Sequence, residues 1–135
     1  MRDIISVGEV LIDLTQTGTT DQGIPAFAAN PGGAPANVAV AAARLGAETA
    51  FFGKVGRDSF GAYLRRVLEE NGVDCSGLRT GSQPTTLAVV SVDSRGERDF
   101  QFIRGADCTL SPEEVDEEAL GRTKFLHFGS GSLTA

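Results

Sequence analysis

The chain has 135 residues, 41% hydrophobic and 22% charged, a balance that suits one packed domain or part of one and excludes wholesale disorder. A formal net charge of −6, with the acids spread along the chain, excludes the basic face that a nucleic-acid partner requires. No apolar run approaches the ~20 residues needed to cross a bilayer, the start of the chain carries no leader pattern, and Cys75 and Cys108 form neither a disulfide framework nor a metal cluster, so a cytoplasmic protein with reduced thiols and no membrane partner is expected.

Ile4 to Val7 is a short apolar run that ends at Gly8, which predicts a buried strand leading into a turn. Val10 to Thr15 is extended in character and carries Asp13 between Ile12 and Leu14. Thr17 to Gly23 is polar and glycine-containing and is expected to be a loop. Asn30 to Pro35 is dense in turn residues and opens onto Ala36 to Leu45, whose alanines predict a helix with Pro35 in its first turn and Gly46 at its stop.

Thr49 to Val55 predicts a strand. Ser59 to Asn71 predicts a second helix, with Phe60, Leu64, Val67 and Leu68 on one face, Asp58 as N-cap and Gly72 past the end. This strand–helix alternation predicts an α/β fold with a mostly parallel sheet. Thr85 to Val92 and Arg98 to Ile103, joined by Asp93-Ser94-Arg95-Gly96, predict a hairpin outside that sheet, with Phe100 and Phe102 on one face. Ser111-Pro112-Glu113-Glu114 has the form of a capping box and predicts a helix to about Leu120. Lys124 to Phe128 predicts a last strand, before Gly129-Ser130-Gly131-Ser132.

Several residues are candidates for chemistry. Gly32 and Gly33 stand just before a helix, where a bare backbone can approach a ligand closely or simply make a turn. Asn37, just inside the helix, can both donate to and accept from a hydroxyl. A phosphate cradle fits poorly, because no Gly-Lys-Ser/Thr follows the glycines. Asp13 is either an acceptor for a pair of ligand hydroxyls or an exposed strand-edge carboxylate, and Glu9 is a weaker candidate of the same kind. Arg104, before Gly105-Ala106-Asp107, can swing over a ligand or remain a surface cation. His127, the sole histidine, lies in an apolar strand and reads as a core residue.

Together these residues resemble the ribokinase/fructokinase, or phosphofructokinase-B-type, carbohydrate kinases. The resemblance rests on Gly32-Gly33-Ala34-Pro35-Ala36-Asn37-Val38-Ala39, then Gly46, then Gly53-Lys54-Val55-Gly56-Arg57-Asp58-Ser59-Phe60-Gly61. The opening Val7-Gly8-Glu9-Val10-Leu11-Ile12-Asp13-Leu14 and the later Asn71-Gly72-Val73-Asp74 match as well. It implies a ribokinase-like three-layer fold with a small β-lid, built from strands near 10–29 and 85–104 and incomplete in this chain. It implies a sugar site formed by Asp13, Gly32, Gly33, Asn37 and Arg104, and transfer of the ATP γ-phosphate, with Mg2+, to a primary hydroxyl.

Fructose is the expected sugar, because 126–133 is similar to the corresponding fructokinase strand. A 2-keto-3-deoxygluconate, ribose or nucleoside kinase is the alternative within the fold, and a non-catalytic sugar-binding module the alternative outside the enzymes. The resemblance also implies pairing of lids in a homodimer. The family's second signature, a Gly-Ala-Gly-Asp run bearing the catalytic base and an anion hole, does not occur in these 135 residues. The base and most ATP contacts are therefore expected beyond residue 135, and no catalytic or metal-binding residue is expected within the chain.

Overall fold

A computed structural model of the chain describes residues 2–129, so the 130–133 part of the fructokinase-like ending lies outside the described residues. In chain order the elements are β1 (Ile4–Val7), β2 (Leu11–Thr19), β3 (Pro25–Gly32), α1 (Ala34–Arg44), β4 (Thr49–Gly56), α2 (Ser59–Glu70), β5 (Leu78–Gly81), β6 (Leu87–Val92), β7 (Arg98–Ile103), α3 (Glu117–Gly121) and β8 (Phe125–Phe128). Two 3-10 turns, Ala106–Thr109 and Pro112–Glu114, connect β7 to α3.

The strands form two sheets. One is parallel throughout, in the order β5-β4-β1-β8. Its strand β4 alternates between two covered faces, as expected of parallel sheets, whereas β8 at the edge is largely exposed. Phe51 and Val55 of β4 join Ala36 and Ala39 of α1 and Leu64 and Leu68 of α2 in the main core. Ala50 and Phe52 face the other way, with Ile5, and meet Val115, Ala119 and Leu120. Helices on one side and the α3 region on the other give the three layers that the resemblance implied. The polar groups on the helix side are satisfied: Ser6 donates to the Pro35 carbonyl at 2.6 Å and Thr49 to that of Ala39 at 3.2 Å.

The second sheet, in the order β3-β2-β6-β7, is the expected lid. β2 pairs antiparallel with β3 and parallel with β6, and β7 returns antiparallel along β6. Ile12, Leu14, Ala29 and Leu87 turn its root into the main core, whereas all of β7 is exposed.

Four sequence expectations need correction. The loop expected from Thr17 begins later, because β2 runs on to Thr19 across a register shift between Gln16 and Gly18. Asn30-Pro31-Gly32 is strand rather than turn. Pro31 lies opposite Ile12 on β3, an edge strand, where a missing N–H is tolerated. β5, which the sequence reading did not include, pairs with β4 from Leu78 to Gly81. The helix expected from Ser111 is broken into one 3-10 turn and the separate α3, which Asp116 caps through Ala119 N. Glu114 does reach back to Ser111 N at 3.0 Å, but it also takes Lys54 Nζ at 2.8 Å, and Val115 leaves the helical path to pack beside Phe52.

Candidate functional site

The pairing register decides which side chains share a face of the lid. Asn30, Asp13, Ala88 and Phe102 form one row across β3, β2, β6 and β7. Residues paired in this way project to the same side, opposite to Ile12 and Leu14. Phe100 lies on that side too, its ring 6.2 Å from that of Phe102, as the alternation along the hairpin predicts. Ala88 is small and buried, which leaves a low floor between Asp13 and Phe102.

Gly32 follows Asn30 by two positions and therefore faces the same way. A Cβ at Gly32 would run into Asp13 Oδ2, so the glycine makes room for the carboxylate. Asp13 is half-buried, and among the described residues its carboxylate has no hydrogen-bond or ion-pair partner. Burial pushes its carboxyl above the ordinary value. A partly desolvated acceptor pair without a protein donor is unfavourable by itself and fits a ligand that brings hydroxyls.

Gly33 has φ +101°, in the region that side chains disfavour, and a Cβ there would sit 2.5 Å from the Glu9 carbonyl oxygen. It caps α1 without a side-chain bond, so the first-turn N–H groups stay open toward this region. Asn37 closes the first helical bond, its N–H donating to Gly33 O at 2.9 Å. Its side chain is exposed and has no hydrogen-bond partner among the described residues, which leaves the amide available. Gly8 and Gly129 both press on Pro35, so β1 and β8 deliver their carboxyl ends to the start of α1. That edge is where open parallel sheets take ligands.

Arg104 does not swing freely. Its Nη2 and Nε donate to Asp107 Oδ2 at 2.9 and 3.1 Å, and its guanidinium carbon stands 5.3 Å from the Phe102 ring centroid. The hydrogen bonds from Arg104 to Asp107 hold the guanidinium protonated, with smaller help from the charges of Asp107 and Glu9. Arg104 thus lies over the face that carries Asp13, within electrostatic reach of Glu9, whose backbone abuts Gly33. Asp13 and Gly32 are thus adjacent, Gly33 abuts Glu9, Asn37 joins Gly33 through the first helical bond, and Arg104 approaches through the Phe102 face and the charge of Glu9. His127 is half-buried on β8 opposite Ser6 and takes no part in this region.

Sequence reasoning missed Asp107 and Thr86. Asp107 is buried with its side chain wholly covered, and Thr86 donates to its Oδ1. The available signal was the three-residue spacing from Arg104 to Asp107 across Gly105-Ala106, which allows the two side chains to meet. A cleft of about 570 Å³ beside α2, lined in part by Arg57, Arg65 and Glu69, contains none of the candidate residues.

Neither helix start suits the phosphates of a nucleotide. The start of α2 is closed by Asp58, which accepts from Gly61 N at 2.7 Å, and the start of α1 lies near Glu9 and Asp13. Carboxylates in both places oppose a polyphosphate. No group of three His, Cys, Asp or Glu side chains is placed to hold a metal ion among the described residues. Nor is any helix long and apolar enough to cross a membrane.

Comparison with known proteins gives one consistent result. Fructokinase-1 of Zea mays is 45% identical over 137 residues, which span 98% of this chain and 42% of the maize protein. Fructokinase of Solanum tuberosum is 44% identical over 136 residues, 96% of this chain and 42% of its own. The chain therefore spans about two fifths of the curated relatives it matches. The crystal structure of fructokinase from Xylella fastidiosa superposes with a TM-score of 0.91 at 38% identity, over 100% of this chain and 43% of that one, and the same enzyme is also known with bound ATP. The pfkB family carbohydrate kinase profile matches residues 1–135, and the chain belongs to that family.

Proposed function

We propose that this chain is the sugar-binding part of an ATP-dependent fructokinase, which transfers the γ-phosphate, with Mg2+, to a primary hydroxyl of fructose. The observation that carries the reading is the half-buried carboxylate of Asp13 over Gly32, without a partner among the described residues, on the lid face that also bears Arg104. Fructokinase relatives at about 45% identity support the choice of sugar.

In this reading Asp13 accepts hydrogen bonds from two sugar hydroxyls. The backbone at Gly32 and Gly33 approaches the ring, Asn37 donates to or accepts from a third hydroxyl, and the lid excludes water. Such fixing of the acceptor is a large part of phosphoryl-transfer catalysis. The described residues fit neither the nucleotide nor the metal, so ATP, Mg2+ and the base that takes the hydroxyl proton are assigned to residues outside this chain.

One observation weighs between neutral and acidic sugars. The Arg104 charge is committed to Asp107, and Glu9 and Asp13 add negative charge nearby. That balance favours a neutral ketose over a sugar acid such as 2-keto-3-deoxygluconate.

The test is Asp13→Asn in the complete polypeptide that carries these residues. Loss of a charge-assisted acceptor predicts a fall of roughly 10- to 100-fold in fructose affinity by calorimetry, with ATP affinity unchanged. Unchanged fructose binding, or faster turnover of the sugar acid than of fructose, overturns the reading.

A further inference from the structure

Asp107 lies just outside the region described above, and it is bonded to the residues that flank both strands of the β6–β7 hairpin. Its Oδ2 receives Arg104 through two nitrogens, at 2.9 and 3.1 Å, and its Oδ1 receives the Thr86 hydroxyl. Thr86 is itself fixed. Its Oγ1 accepts from Gly105 N at 3.0 Å, and its carbonyl accepts from Ile12 N at 3.1 Å, one residue before Asp13. Ala106 N donates to Pro84 O at 2.7 Å and closes the same hinge. A chain of bonds therefore runs from Arg104 through Asp107 and Thr86 to the strand that carries Asp13.

We infer that Asp107 is a positioning residue for sugar binding: it holds the Arg104 guanidinium over Phe102 and keeps it in register with Asp13 across the lid. The inference rests on the proposed sugar site. A carboxylate suits the task because it offers separate oxygens to a forked cation and to a hydroxyl. Its complete burial removes the competition from water that weakens exposed ion pairs.

The test is a double-mutant cycle in the complete polypeptide, read as KM for fructose against kcat. Arg104→Gln is expected to raise KM about tenfold, with kcat within about twofold. Asp107→Asn is expected to raise KM about five- to tenfold. If Asp107 acts through Arg104, the double variant is no worse than the worse single one. Arg104→Lys keeps the charge but loses the fork, so it behaves like Asp107→Asn and serves as the test if that variant does not fold.

Three results overturn the inference: additive losses in the cycle, Asp107→Asn or Arg104→Lys with wild-type KM, or Arg104→Gln with wild-type KM. The last separates from failure of the functional reading through Asp13→Asn. If Asp13→Asn still weakens fructose binding, the sugar site stands and only the role given to Arg104 and Asp107 falls.

Discussion

The two sheets each have four strands but are held in different ways. In β4 of the parallel sheet seven of eight residues are buried; in β7 of the lid none is. β4 is stabilised by apolar packing on both faces, so its geometry is set by volume and shape, although β8 at the sheet's edge is largely exposed. Past its root the lid has little packing, and polar bonds at its hinge set its direction instead. Thr85 donates from its N–H and its hydroxyl to Asp58, Thr86 donates its hydroxyl to Asp107, and Gly56 N–H donates to Thr85 Oγ1. A ligand that needs a rigid floor and a movable cover is served by this division, because local opening costs least where packing is sparse.

The contrast is broken most directly by cutting the same side chain from each sheet. Phe51 is fully buried between α1, α2 and the parallel sheet, whereas Phe100 on β7 is 62% exposed. Phe51→Ala is expected to cost about 3–5 kcal/mol in urea unfolding, through lost burial and the cavity left behind. Phe100→Ala is expected to stay within about 0.5 kcal/mol. Comparable losses at both positions would show that the lid is packed as tightly as the core.

The hinge sharpens the comparison at intermediate size. Asp58 caps α2 and at the same time anchors Thr85 at the entry to β6. Asp58→Ala is expected to cost about 1–2 kcal/mol, the usual range for a lost cap. Burial pushes the Asp58 carboxyl up, but the bonds from Thr85 and Gly61 outweigh it and hold the group below its ordinary value. The folded state therefore binds this proton less tightly than the unfolded chain. The stabilisation is present above the ordinary value of 3.8 and is lost as pH falls through the lowered one. Wild type and Asp58→Ala are expected to converge in acid, and amide exchange in β6 to quicken in the variant at neutral pH. Equal exchange in β6 would confine Asp58 to capping α2.

How far the sequence was readable follows the same division. The parallel sheet and its helices were legible because burial writes a period into the residues: Phe60, Leu64 and Leu68 are spaced for a helix, and Ile4 to Val7 for a buried strand. The lid was legible only in part. Its β6–β7 hairpin alternates clearly, but Asn30-Pro31-Gly32 has the composition of a turn and is a strand only because β2 lies beside it. β5 contributes four residues, two of them exposed, and its pairing with β4 leaves no periodic trace.

In the candidate site, Asp13, Gly32, Gly33 and Asn37 each leave a turn or surface reading open when taken alone, and only the resemblance carried by residues 32–39 and 7–14 singles them out. Asp107 could not be found in that way. The three-residue spacing from Arg104 is its one local trace, while its burial and its bond to Thr86, across the hairpin, leave none.

The smallest expected effect runs against intuition and separates binding from stability at one residue. Burial raises the Asp13 carboxyl above its ordinary value of 3.8, and no donor among the described residues offsets it. The folded state thus binds this proton more tightly than the unfolded chain, so stability falls as pH rises from 3.8 through the raised value. At neutral pH the whole penalty is present. Asp13→Asn keeps the shape and removes the charge, so it is expected to raise Tm slightly at pH 7 while weakening fructose binding. The gain in Tm should shrink to nothing below pH 3.8, where the native carboxyl is neutral as well. A variant less stable than wild type at pH 7 would mean that Asp13 makes a stabilising contact in the folded protein, and its carboxylate would no longer be waiting for a sugar.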